Sequence, residues 1–244
     1  MNNTSIPWPT QRMIRESMGF SAIVDINGRA NPKTGGFYEP EDAINAGHKR
    51  IFIRKGTYGP FEISEDYCLI EGEGSDTIID GAEISHAIEV SASRTTIRNI
   101  QVKTTPGGGN GYDGIKCSSA GMNLYERIYC TESDDCAIEI QSAINTIKDC
   151  IMYSAIDNYK IYSNGSWLTI TGCYIANAGA TGVYLDGGAD NSIIIGNSFN
   201  ANTSYDVNIT ANAENCIVVA NRCTGSGGIL DSSGTSVVAN NDET

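Results

Sequence analysis

The sequence predicts an all-β fold, a right-handed parallel β-helix whose coils are about 22–24 residues long and which carries a short N-terminal capping helix. Two series of apolar positions recur at that interval and carry the prediction. A third observation agrees with them: 27 glycines against 6 prolines in 244 residues, with 40% hydrophobic and 18% charged side chains, is the composition of a folded, turn-rich chain. One elongated domain, residues 21–244, accommodates both series, preceded by residues 1–20 as a cap or docking segment.

In chain order, residues 1–20 contain Pro7, Trp8, Pro9, Arg12 and Arg15 and fit no coil. They lack the apolar core of a signal peptide, and nowhere are there 18 consecutive apolar residues. The expectation is a chain with no membrane insertion, either virion-associated or cytoplasmic as it stands or secreted after losing a leader. Glu39 to Gly47 reads as a short helix, with Pro and acids at its start and Gly at its end. Strand-like runs follow at Ile51 to Tyr58, Leu69 to Gly74 and Thr77 to Gly81.

The first series then begins. Ile97, Tyr125, Ile147, Ile170, Ile194, Val218 and Val237 open four-residue segments that start 28, 22, 23, 24, 24 and 19 residues apart. Their third positions, Asn99, Arg127, Asp149, Gly172, Gly196, Ala220 and Ala239, include residue types that favour a bend through the left-handed region. Their fourth positions end in Asn197, Asn221 and Asn240, which read as a structural asparagine ladder between coils. A second series runs Phe61, Ile88, Ile115, Ile138, Tyr159, Val183, Val207 and Ile229, with further apolar residues two positions on. Period-2 strands separated by polar bends explain this alternation, and helices or hairpins of this repeat length do not. The tail after Val238 is polar.

Sixteen basic against twenty-nine acidic residues give a net charge of −13, so nucleic acid and anionic membranes are discounted as partners. Eight cysteines with no C-x-x-C pair and no nearby His argue against zinc and for reduced, structural thiols inside strand patterns.

The run of a short helix, Ile51-Phe-Ile-Arg-Lys-Gly-Thr-Tyr58, Leu69-Ile-Glu-Gly-Glu-Gly74 and Thr77-Ile-Ile-Asp-Gly81 resembles the opening of the pectate-lyase-like β-helix superfamily. That superfamily includes pectin-active enzymes, epimerases and phage tailspikes, so the resemblance implies fold more than reaction.

Between the two inward positions of the second series lies one outward residue per coil: Glu62, Glu89, Lys116, Glu139, Lys160, Tyr184, Asn208 and Leu230. Lys116, Glu139 and Lys160 would form an alternating-charge ladder that either neutralises itself or, with Tyr184 as a stacking ring, binds sugar. Asp113, Asp134, Asp135 and Asp157 cluster where the chain enters this series. They are either turn punctuation or a carboxylate site able to share protons or to hold Ca²⁺ on Asp113, Asp135 and Asp157. No other cofactor is required. His48 and His86 read as ordinary surface or cap residues, distant from these acids.

Tyr112-Asp-Gly-Ile115 and Ser133-Asp-Asp-Cys136 are similar to the "Asn-Thr-Asp-Gly" and "Gly-Asp-Asp-Cys" motifs of polygalacturonases. The similarity implies Asp113 and Asp135 for water activation and Asp134 or Asp135 as general acid. The chain departs from that family where its "Gly-His-Gly" would fall, at Ile156-Asp157-Asn158, and where its "Arg-x-Lys" would fall, at Tyr184-Leu185-Asp186. A lyase would instead use Lys116 or Lys160 as base beside a cation. Two readings result: a polysaccharide hydrolase or lyase working through the aspartates, or a non-catalytic, tailspike-like glycan-binding protein, in which case a homotrimer is expected.

Overall fold

The structure is a computed structural model and describes residues 19–28, 32, 35–82, 84–104, 111–119, 121–153, 158–224 and 227–243. The segment 1–18 and Asp157 lie outside the described residues. Short strands stack in parallel, coil upon coil, into an eight-stranded sheet and an eighteen-stranded sheet among the described residues. The larger sheet wraps around two sides of the solenoid, and the smaller forms the third.

The first sequence series lies on the larger sheet, where Ile70, Ile97, Tyr125, Ile147, Ile170, Ile194 and Val218 pair in register. All seven are fully buried, so each coil places one of them on the next in a continuous core. The chain bends where predicted: Asn99, Arg127, Asp149, Gly172, Gly196 and Ala220 all have φ between 52° and 67°. After the bend a second buried column follows on the same sheet, with Val102, Cys130, Met152, Ile175, Phe199 and Cys223 in register. All eight cysteines are buried and free, Cys130 and Cys223 in the second of these columns.

In the last coil the prediction is one residue early. Val218 pairs with Val238 rather than Val237, the left-handed residue is Asn240 rather than Ala239, and the ladder ends at Asn241 rather than Asn240. The ladder itself is as expected. Asn197 Nδ2 donates to Asn221 Oδ1 at 3.1 Å, and Asn221 Nδ2 donates to Asn241 Oδ1 at 3.0 Å. The same oxygens accept the backbone N–H of Asn197 and Asn221, so each buried amide is satisfied by the neighbouring coil.

A six-residue helix, Pro40–Asn45, begins with Pro at its first position and two acids in its first turn, as its sequence foretells. It packs beside Gly36–Phe37 and Phe61–Ile63. No helix of the described residues is long and apolar enough to cross a membrane.

Candidate functional site

The smaller sheet follows the second series, with one shift of phase. Phe61, Ile88, Ile115, Ile138, Ile161, Val183, Val207 and Ile229 pair in register, so Ile161 takes the place expected for Tyr159. The outward row is therefore Glu62, Glu89, Lys116, Glu139, Tyr162, Tyr184, Asn208 and Leu230. Lys160 is not in it: the residue is fully buried. The reason is a corner position. From the Asp135 coil onward each strand turns two successive residues inward before alternation resumes: Ala137 and Ile138, Lys160 and Ile161, Gly182 and Val183, Asp206 and Val207. A strict period of two overlooks that extra residue and sends Lys160 to the wrong face.

Lys116 and Glu139 stand where expected and form an ion pair of 3.2 Å, half-shielded on the sheet. Tyr184 is joined by two rings that the sequence reading did not place there. Tyr162 lies nearly parallel to it, with centroids 5.9 Å apart and 11° between planes, and Tyr159 packs on it at 4.7 Å. Tyr162 donates its hydroxyl to Asp186 Oδ2 at 3.1 Å.

Two residues before the buried column comes a second set of neighbours: His86 before Ile88, Asp113 before Ile115, Cys136 before Ile138. His86 belongs to the acid cluster, contrary to expectation, and the same count that places Asp113 would have placed it. Its Nδ1 accepts the backbone N–H of Asp113 at 2.9 Å and lies 3.2 Å from Asp113 Oδ2. Asp113 is 1% exposed; its Oδ1 accepts the backbone N–H of Cys136 at 3.0 Å, while Oδ2 has no donor among the described residues.

Oδ2 thus lies against the Nδ1 lone pair already engaged by an N–H, with the Glu139 carboxylate acting on the same group. A carboxyl held out of water beside another carboxylate favours its protonated form. Burial, partly offset by His86 and reinforced by Glu139, pushes its pKa up to about 7. Glu139 is drawn the other way. Burial opposes its charge, but hydrogen bonds from Asp113, Gln141 and Lys116 outweigh that and hold it below the usual carboxylate range. The two shifts run in opposite directions, so Asp113 favours its proton and Glu139 its charge, with Lys116 beside that charge.

Asp135 is half-buried; its Oδ1 accepts from Asn158 Nδ2 at 3.0 Å. Asp134 turns aside: its Oδ2 accepts the backbone N–H of Gly111 at 3.0 Å, tying down the incoming loop. Of the three residues expected to hold Ca²⁺, Asp113 and Asp135 are brought together, with ligand atoms of Asp113, Asp135 and Cys136 all within 4.8 Å of one another. Asp157 is outside the described residues. Ca²⁺ takes six to eight oxygens, whereas here one carboxyl holds a proton and the third group is a thiol raised well above its ordinary pKa by burial and both aspartates. The described residues do not make a calcium cage.

A cavity of about 240 Å³ opens beside His86, walled also by Glu41, Phe61, Glu62, Ser85 and Glu89. It continues the outward row below Lys116.

No protein-family profile and no curated protein matches the chain. Solved structures do. The chain is similar to alginate lyase from Paenibacillus sp. str. FPU-7, with a TM-score of 0.59 and 15% identity over 79% of this chain and 87% of that one. It is similar to a pectin methylesterase in complex with a hexasaccharide, with a TM-score of 0.61 and 12% identity over 87% and 81%. It is also similar to ORF18 of Geobacillus virus E2, with a TM-score of 0.52 and 13% identity over 96% of this chain and 62% of that one. At these identities the likeness is one of fold, and the fold is the parallel β-helix expected from the sequence.

Proposed function

We propose that this chain cleaves a polysaccharide by acid–base hydrolysis on the outer face of the smaller sheet. The observation that carries this reading is the buried Asp113, whose pKa burial raises to about 7, set between the more exposed Glu139 and a second carboxylate, Asp135. Glycoside hydrolysis needs one group to protonate the leaving oxygen and another to activate water or attack the sugar. Glu139 is the exposed end of this pair and acts as the acid; Asp113 is a positioning residue that stores the proton behind it. Asp135 is the base. Tyr162 and Tyr184 border the site in the next two coils, where sugar rings pack against aromatic carbon. The structural neighbours include an alginate lyase and a pectin methylesterase holding a hexasaccharide, which supports a carbohydrate on this scaffold.

Hydrolysis fits better than elimination. A lyase acting on a uronate needs a cation for the charge that develops, and the one outward lysine of these strands, Lys116, is already paired with Glu139. Glycan binding without turnover is the second reading, favoured by the near-complete burial of Asp113 and by the role of Asp134 in fastening its loop.

The test is a screen of uronic, neutral and amino polysaccharides for new reducing ends and for the ultraviolet absorbance of unsaturated ends. Reducing ends alone are expected, with a rate that falls as pH rises through about 7, where Asp113 loses its proton. Glu139→Gln should lower that rate by about 10²–10⁴-fold, the usual share of a general acid. Unsaturated products would overturn hydrolysis in favour of elimination, and binding without any product would leave the second reading.

A further inference from the structure

At the corner where each coil passes from the smaller sheet to the larger, two residues before the register partners Leu69, Thr96, Leu124, Thr146, Thr169, Ile193 and Ile217, the backbone turns left-handed. The residues there are Tyr67, Arg94, Met122, Ile144, Trp167, Asn191 and Asn215, with φ between 55° and 66°. The N–H of Tyr67 donates to Ser93 O, that of Arg94 to Gly121 O, that of Met122 to Ala143 O and that of Ile144 to Ser166 O, so the rungs stack coil on coil at about the 4.8 Å spacing of neighbouring strands. In the last two of these coils the position is Asn, which takes this conformation readily. In the five before them it is a Tyr, an Arg, a Met, an Ile and a Trp, and a bulky or β-branched side chain is strained there.

The same five side chains face water. Tyr67 is 62% exposed, Met122 49%, Ile144 51% and Trp167 57%, and Arg94, exposed as well, lays its guanidinium over the Tyr67 ring at 5.2 Å. Two costs therefore coincide along one vertical ridge, a strained backbone and apolar surface left in solvent. The solenoid needs neither, since Asn191 and Asn215 hold the same corner without them. Trp, Tyr, Arg and Met are the side chains that concentrate at protein–protein interfaces, the first three at their hot spots.

We infer that this ridge is the contact surface for a second copy of the chain, docked antiparallel about a two-fold axis through Met122. Because the five rungs are one coil apart, such an axis sets Met122 on Met122, Arg94 opposite Ile144 and Tyr67 opposite Trp167, a self-complementary match. A parallel arrangement about a three-fold axis would instead set each rung on its own equivalent, Arg94 against Arg94. No acid stands at any of the five rungs, so the contact does not place carboxylate on carboxylate even though each copy carries a net charge of −13. Half-exposed side chains of this size offer on the order of 500 Å² per copy, so a pair buries about 1,000 Å², the low end of specific interfaces, and the dimer is reversible rather than obligate. A glycan fits the ridge less well. Sugar rings pack on open aromatic faces, and here Arg94 covers one face of Tyr67 while the middle rungs are Met122 and Ile144.

The experiment is analytical ultracentrifugation of the full chain from micromolar to millimolar concentration, beside the variants Ile144→Asn and Trp167→Asn. The natural chain is expected to pass reversibly from monomer to dimer, more readily in added salt, which screens the repulsion between the copies. Each variant should weaken the dimer by at least about tenfold. Both should fold, since Asn already serves at this corner in two coils, and their denaturation midpoints as monomers should rise, because Asn relieves the strain. Association and stability thus move in opposite directions, which a merely structural role for these side chains would not produce. Orientation is read by cross-linking: Met122→Cys should form a covalent dimer under mild oxidation, and Tyr67→Cys should not. A chain that stays monomeric throughout, a trimer, or variants that dimerise as well as the natural chain would each overturn the inference. So would failure of Met122→Cys to cross-link, or equal cross-linking of Tyr67→Cys. A monomer whose glycan affinity falls in the two Asn variants would overturn it in favour of glycan docking.

Discussion

The two faces of this solenoid are built from the same coils and treat charge in opposite ways. On the larger sheet, acids and bases are matched between neighbouring windings or across adjacent strands: Arg98 with Glu71 at 2.6 Å, Lys103 with Asp80 at 2.9 Å, Lys148 with Glu126 at 3.4 Å. On the smaller sheet Glu62, Glu89 and Glu139 line up around a single Lys116, and a carboxyl is buried behind them. Both faces share backbone, register and core, so the difference does not come from folding. Matched charges are what a surface needs in order to be stable. Concentrated like charge with a buried carboxyl beneath it costs stability, which is why the proposed site is placed on this face rather than on the other.

Three perturbations would break or sharpen that contrast. The largest effect is expected at Lys160, which is fully buried rather than in the outward row. Truncating a long, fully buried side chain leaves a cavity behind it, so Lys160→Ala should destabilise the chain by about 2–5 kcal/mol. Its affinity for any glycan per folded molecule should stay unchanged. Chemical denaturation read beside a binding isotherm checks this; a folded variant of normal stability that no longer binds would return Lys160 to the site.

The next effect is a slope rather than an offset. Folded Asp113 titrates at about 7 against an ordinary 3.8, so between those values the native chain holds a proton that the unfolded chain has released. Stability contributed by this group is complete at low pH and is lost as pH rises through that window, by on the order of 4 kcal/mol. Asp113→Asn keeps an acceptor for the Cys136 N–H and gains a donor toward Glu139. The variant should therefore lose this part of the slope and gain on the natural chain between pH 5 and pH 8. Parallel stability curves for the two chains would mean that Asp113 holds no proton. The smallest effect belongs to the matched face: Arg98→Ala should cost no more than about 1 kcal/mol, as exposed pairs do, and leave turnover untouched.

The contrast also shows how far sequence reasoning reached. Coil length, the two buried columns and the asparagine ladder were legible because buried strands alternate with a period of two and every coil repeats the same inward residues. The outward positions of Lys116 and Glu139 were legible for the same reason, and the nearness of Asp113 to Asp135 from the coil spacing. Lys160 was misplaced because the corner residue between Tyr159 and Ile161 has no periodic signature; only the neighbours Ala137, Gly182 and Asp206, all buried at the same corner, betray it. In the last coil the winding is 20 residues between Val218 and Val238, and matching Val237-Val-Ala-Asn240 to Val218-Val-Ala-Asn221, a spacing of 19, lands one position early. His86 was missed although it sits two residues before Ile88, as Asp113 sits two before Ile115. Its partner is 27 residues away, and nothing in its local sequence marks it. The proton in the site was beyond sequence altogether, since it follows from burial and from which atoms face each other.

The asparagine ladder constrains how such a molecule can change through time. Each rung donates both to the amide oxygen of the next winding and to a carbonyl of the one below, so a residue lost from the short segments that carry the rungs would break the match. Loops between those segments absorb changes in length, as the step from 24 residues between Asn197 and Asn221 to 20 between Asn221 and Asn241 shows. Lengthening and shortening in this lineage are therefore expected in the loops or as whole turns, and each turn gained or lost adds or removes one outward side chain of the smaller sheet.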